Sequence, residues 1–246
     1  MKVSRRISLA LAFFLVFFTV WQLPASVLGV LLPERLMLSA TSGSVWSGTA
    51  ARSAWILDDG ALVLGRARWH LSPLSIVSLR PKVTLSVEWG GQQMTGAFRR
   101  DLSGNIVVTD FHARFESGLI RQMLPLYIGG GVIADFSEIS IASDQLQSLD
   151  GKVLWQDAVW AAAAGDVPLG NYQLRISGQD SNVEGRVTTL SGGLIVSGDV
   201  EVTENSYEID LDLSGPATAN AELAGALQLI AAPTATGFDM VINGRL

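Results

Sequence analysis

Residues 82–89 read KVTLSVEW, and the alternation is complete: Val83, Leu85, Val87 and Trp89 fall on one side of an extended chain, Lys82, Thr84, Ser86 and Glu88 on the other. Successive side chains of a strand point to opposite faces, so this octapeptide reads as a β-strand with one apolar and one wet side. The same beat recurs outward in ALVLGRARWHL (61–71), GNIVVTDFHARF (104–115), SEISIAS (137–143), GKVLWQDAVW (151–160), NYQLRISG (171–178), GLIVSGDVEVT (193–203) and SYEIDLDLSG (206–215). Gly, Asp, Asn and Ser clusters separate these runs, which is hairpin punctuation. Buried parallel strands read as continuous apolar runs, whereas strands with one polar face belong to antiparallel sheets covered on one side. The expected fold is mainly β, a curved antiparallel meander with one or two short helices.

Three stretches break the beat. SPLSIVSL (72–79) is one, and ESGLIRQMLPLY (116–127) is another, with Leu119, Ile120, Met123 and Leu124 at helical spacing and Pro125 closing the helix. AELAGALQLIAA (221–232), interrupted by Gly225, reads either way. Glycine leads an alternating run in SGNIVV, GGGVIADF, DGKVLW, EGRVTTL and SGDVEV, at irregular intervals. Irregular spacing implies stacked hairpins rather than a solenoid. One continuous β-rich domain over residues 34–246 is expected, folded into two halves near residue 130.

The N-terminus reads differently. Lys2, Arg5 and Arg6 precede an uncharged stretch from Ile7 to Pro33, and the next charge is Glu34. Its densest part, with Ile7, Phe13, Phe14, Phe17 and Phe18, is long enough to span a bilayer core, and Trp21 sits where an interfacial aromatic anchor would. The reading adopted is a short cytoplasmic tail (1–6) and a single transmembrane anchor (7–27), with positive-inside bias exporting everything after about Pro33. A cleaved signal peptide shares these features, with Pro24, Ala25 and Ser26 as a weak cleavage site. Both place the body outside the cytoplasm.

All 23 Asp and Glu and 14 of the 17 Lys and Arg lie beyond that stretch, leaving the exported part at a net −9. Nucleic-acid binding through a basic patch is therefore not expected. Cysteine is absent, which removes disulfides and thiolate chemistry. His70 and His112 are the two histidines, each on a polar strand face and without a second His or Cys at ligand spacing, so no metal or other cofactor is expected. Asp58-Asp59-Gly60 reads as a hairpin turn, and Glu208, Asp210 and Asp212 as the wet side of a strand. The Gly129–Gly131 triplet lacks a following Lys-Ser/Thr and helix, so it reads as a turn or bulge rather than a phosphate loop. No G-x-S-x-G elbow occurs, and no enzymatic activity is expected. Of seven Trp, Trp69 and Trp89 share alternation with Ala67, Leu71, Val83, Leu85 and Val87 and are expected in a core.

SGSVWSGTA (42–50), carrying Val45, Trp46 and Gly48, is followed by ARWHLSPLSIV (67–77), carrying Trp69 and Pro73. With LIRQMLPLYIGGGVIADF around Pro125 and the closing FDMVINGRL, this order resembles the type II secretion system protein N family. The resemblance implies a single-pass inner-membrane protein of Gram-negative bacteria with a β-rich periplasmic domain. It would be an accessory part of the machine moving folded proteins across the outer membrane, with other secretion subunits as partners. More distantly the domain resembles AsmA-like β-rich proteins, which implies as an alternative an apolar groove that carries lipid. An outer-membrane barrel is disfavoured by short runs, three Tyr and scattered charges such as Arg66 and Glu88.

Overall fold

The computed structural model describes residues 14, 18, 22–30, 32, 35–57, 60–116, 128–142, 145–162, 165–204 and 206–245. They form two compact units, Met1–Trp89 with Phe98–Leu102, and Gly90–Ala97 with Ser103–Leu246. The division thus falls near residues 90–102 and not near residue 130. The reason is register: Phe115 pairs with Val132 and Glu116 with Gly131, so residue 130 lies within one hairpin-connected sheet.

The first unit contains strands β1 (Leu36–Gly43), β2 (Ser47–Leu57), β3 (Gly60–Leu71) and β4 (Lys82–Trp89), each antiparallel to the next. Register places Val83, Leu85 and Val87 beside Leu71, Trp69 and Ala67, and all six are at most 4% exposed. The apolar side of KVTLSVEW is therefore core. Trp89 departs from this expectation at 42% exposed. Its strand partner would lie beyond the last β3–β4 pair, Arg66 with Glu88, at the point where Gly65 (φ +101) bends β3. The bend buries Ser53, whose hydroxyl donates to the Gly65 carbonyl at 3.0 Å and so avoids an unpaired polar group.

SPLSIVSL forms the short helix α1 (Pro73–Val77), with Pro73 exposed at its start. Phe14 and Phe18 are helical, their rings stacked at 6.3 Å and more than half exposed. Ile7, Phe13, Phe17 and Trp21 lie outside the described residues, as do residues 117–127 with Pro125. Among the described residues no helix is long and apolar enough to cross a membrane. The expected span of 7–27 also overruns at its far end: Pro24 bridges Ser44, and Ala25–Val30 is a 3-10 turn with Ala25 buried. Proline lacks the N–H that a continuing helix needs, and the following chain turns onto the sheet instead.

The second unit is a meander of β6 (Ile106–Glu116), β7 (Ile128–Ala142), β8 (Gln145–Ala162), β9 (Gly165–Gln179), β10 (Asn182–Gly192), β11 (Ile195–Val202) and β12 (Ser206–Ser214). A further strand, β5 (Gln92–Arg100), has its residues divided between the two units. A 3-10 turn (Pro216–Ala219) and helix α2 (Ala221–Leu227) then lead to β13 (Ala232–Pro233) and β14 (Gly237–Arg245), and β14 pairs with β12. The ambiguous stretch 221–232 thus resolves into a helix that stops at Leu227. Asn220 caps it, its side chain accepting from the Glu222 and Leu223 N–H groups at 3.1 Å each.

The Gly129–Gly131 triplet is a bulge. Register shifts between Gly129 and Gly131, Gly130 has φ +114, and a Cβ there would come within 2.9 Å of the Gln156 and Asp157 carbonyls. Only glycine fits that left-handed, crowded position. The Trp155 ring N–H donates across the bulge to the Gly129 carbonyl at 3.0 Å.

Candidate functional site

Strand register sorts the side chains of the second unit into adjacent rungs of opposite character. One rung runs Phe111, Phe136, Gly151, Ile176, Gly185, Val200, Ile209, Ile242, each residue paired with the next, and carries no charge. The neighbouring rung, on the opposite face, runs His112, Asp135, Lys152, Arg175, Arg186, Asp199, Asp210 and ends at Val241. Glycines at 151 and 185 make room for large neighbours on the apolar side: a Cβ on Gly151 would run into the Phe136 ring.

The apolar face is covered at one end. Tyr172, Val196, Leu213 and Phe238 are buried there with Leu223 and Leu227 of α2, and Trp155 packs against them. Burial pushes the Tyr172 hydroxyl up to about 12 from 10.0, and that hydroxyl donates to the Leu194 carbonyl at 2.9 Å. Towards the other end Ile176, Val183, Val200, Ile209 and Tyr207 are only half-buried, and Ile242 is 37% exposed.

The charged face holds surface pairs. His112 Nδ1 lies 2.6 Å from Asp135 Oδ1, Lys152 Nζ 4.0 Å from Asp135 Oδ2, and Arg186 Nε 2.9 Å from Asp199 Oδ1. In the first unit Arg68 pairs with Glu88 at 3.2 Å. Such exposed, solvent-screened pairs contribute little to stability. The sequence put His112 on a wet face but gave no sign of Asp135, since cross-strand partners become visible only with register. Among the described residues no group of three His, Asp or Glu is placed to hold a metal ion.

The residues shared by the two sequence motifs of the first unit do come together. Gly48 pairs with Trp69, and a Cβ on Gly48 would collide with the indole Cζ2 and with the Ser42 carbonyl oxygen. The indole instead lies over the bare glycine, 3% exposed, and its ring N–H donates to the Ser44 carbonyl at 3.1 Å. Val45 is buried, its N–H donating to the Leu23 carbonyl at 3.0 Å, while the Trp46 carbonyl accepts from Leu71 at 2.7 Å. Val-Trp-x-Gly and Trp-x-Leu-x-Pro are thus two halves of one packing unit. Pro73 begins α1, beyond that unit.

The described residues thus form two antiparallel β units, one with an indole packed over Gly48 and one with an apolar face covered at one end. The family described as "Type II secretion system (T2SS), protein N" matches residues 34–240. A curated relative from Aeromonas hydrophila, named "Type II secretion system protein N", is 26% identical over 181 residues, covering 70% of this chain and 69% of its own length. No solved structure matches. The chain belongs to the type II secretion system protein N family and is a component of that protein-transport machine, so other secretion subunits are its partners.

Proposed function

We propose that the chain is a non-enzymatic accessory component of the type II secretion system, held in the inner membrane by residues 7–23 with its N-terminus cytoplasmic and its β units periplasmic. It supports assembly or operation of the exporting machine through protein contacts. The observation that carries this is the family match, which spans both β units. The structure adds support for retention of the N-terminal segment. Leu23, Pro24 and Ala25 are bonded to or buried in the first unit directly after the apolar stretch, so cleavage at 24–26 removes part of the fold. The test is deletion of the gene in its host and complementation with the full chain, reading export of a secreted protein. Undiminished export in the deletion strain overturns the proposal.

A second reading rests on the uncharged face of the second unit, which α2 covers at one end only. Acyl chains laid on the remainder would gain about 0.8 kcal/mol per methylene. Native mass spectrometry of the gently extracted protein checks this, and absence of any bound lipid counts against it.

A further inference from the structure

The backbone of β14 exposes an edge whose pairing can be worked out residue by residue. Thr234 N–H donates to the Gly237 carbonyl at 2.9 Å, and Ala232 pairs with Asp239, so Gly237 and Asp239 turn their backbone groups towards β13. Backbone direction alternates along a strand, which leaves Phe238, Met240, Ile242 and Gly244 bonding towards β12. An independent contact agrees: Thr203 N–H donates to the Ser206 carbonyl, so Ser206 and every second residue after it face β11, and Tyr207, Ile209, Leu211 and Leu213 face β14. Val241, Asn243 and Arg245 therefore direct N–H and C=O groups outward. β13 covers only Phe238 and Asp239, and no other strand among the described residues lies beyond.

Exposed edges normally carry a device against unwanted pairing, such as a bulge, a proline or a lysine. Strand β1 carries such features: Ala40 has a positive φ in mid-strand, and Pro24 bridges its end at Ser44. From Gly237 to Arg245, β14 has none of them. All nine of its register pairs with β12 are consecutive, and it presents Val241 at 50% and Ile242 at 37% exposure, one on each face. Its charges, Asp239 and Arg245, flank an uncharged stretch 241–244, and an uncharged edge of regular register is a template for another strand.

We propose that the outer edge of β14, residues 241–245, receives an extended segment of another secretion subunit as an added β-strand, with aliphatic side chains set beside Val241 and Ile242. The occupant is not a second copy of this chain. Two copies would set the net −9 of residues 34–246 against itself, and a charge that far from zero keeps copies apart. This inference rests on the reading of the chain as a secretion component.

The test uses the full chain in cells that contain the whole machine. A photo-crosslinking residue is placed at 241, 242 or 243, and the captured peptides are sequenced. Adducts from 241 and 243 should fall two residues apart in one segment of one subunit, with 242 reaching the residue between. Asn243→Pro deletes one outward N–H and no internal bond, and should lower capture from 241 about tenfold, while Asn243→Ala leaves it unchanged. Should Asn243→Pro misfold, Val241→Lys sets a charge on the edge by side chain alone and should lower capture from 243 about tenfold. No adduct, adducts only to a second copy, or capture indifferent to both variants overturns the proposal. Export lost on deletion but untouched by both variants overturns the edge alone, whereas export that survives deletion removes the component reading beneath it.

Discussion

Gly48→Ala tests the packing at the centre of the family motif. The added Cβ meets backbone, the Ser42 carbonyl oxygen, and the indole of Trp69, whose Cε2 would stand 2.9 Å away and Cζ2 closer still. The ring must retreat by several tenths of an ångström and draw its N–H away from the Ser44 carbonyl, now at 3.1 Å. Overpacking costs about 1–3 kcal/mol and the weakened hydrogen bond about 1 more, so the substitution should cost roughly 2–4 kcal/mol. Hydrogen exchange of the detergent-solubilised chain reads this locally. The amides of Val45, bonded to Leu23, and Leu71, bonded to Trp46, should exchange about 30- to 800-fold faster. That of Leu194, bonded to Leu169 in the second unit, should not change. In a cycle with Trp69→Phe, which removes the colliding ring atoms, the two costs should be less than additive by about 1 kcal/mol. Additivity within about 0.5 kcal/mol, or unchanged exchange in Gly48→Ala, refutes the explanation of the motif.

Three further outcomes follow from the same geometry. Because the Tyr172 hydroxyl ionises near 12 when folded and near 10.0 when unfolded, its contribution is complete below pH 10 and is lost as pH rises from 10 to 12, by about 3 kcal/mol in all. Tyr172→Phe should flatten that alkaline limb, followed by circular dichroism, at a cost of about 1 kcal/mol at neutral pH; a limb as steep as in the parent refutes the assignment. Leu223→Ala should destabilise the second unit by about 2–4 kcal/mol in denaturant titration, since Leu223, 2% exposed, closes the covered end of the apolar face. A chain beginning at Gln22 should keep the Val45 amide protected, whereas one beginning at Val27 loses the Leu23 carbonyl and buried Ala25, and protection should fall about tenfold or more. Equal protection in the two chains refutes the role given to residues 23–25.

Most strands were legible because alternation is a local signal. KVTLSVEW begins and ends as read, and Glu208, Asp210 and Asp212 lie on the exposed side of β12 as expected. What failed was non-local. The break expected near residue 130 falls inside a continuous β7–β8 ladder, where Gly130 serves a bulge. Trp89 has the right parity for burial but stands past the last strand pair, a fact of the bend in β3 at Gly65 that no reading of β4 contains. Gly48 and Trp69 were picked out for their order in the chain. Their physical link, an indole lying on a glycine 21 residues earlier, needed the β2–β3 register.

Alternation says that a strand has two faces and is silent on what covers either one. In the second unit the answer comes from a crossover: after β12 the chain spends residues 216–227 on a 3-10 turn and a helix before β14 returns beside β12. That excursion places Leu223 and Leu227 over one end of the uncharged rungs. It also leaves β14 with an open edge among the described residues, and FDMVINGRL reads no differently from a strand in the middle of a sheet. The side chains that catch the eye, His112 with Asp135 or Arg186 with Asp199, lie in exposed pairs of small energetic worth. The groups available on the edge of β14 are N–H and C=O, which every strand residue carries. Recognition of that kind leaves no motif, and it is visible only when register shows which of those groups have no neighbour.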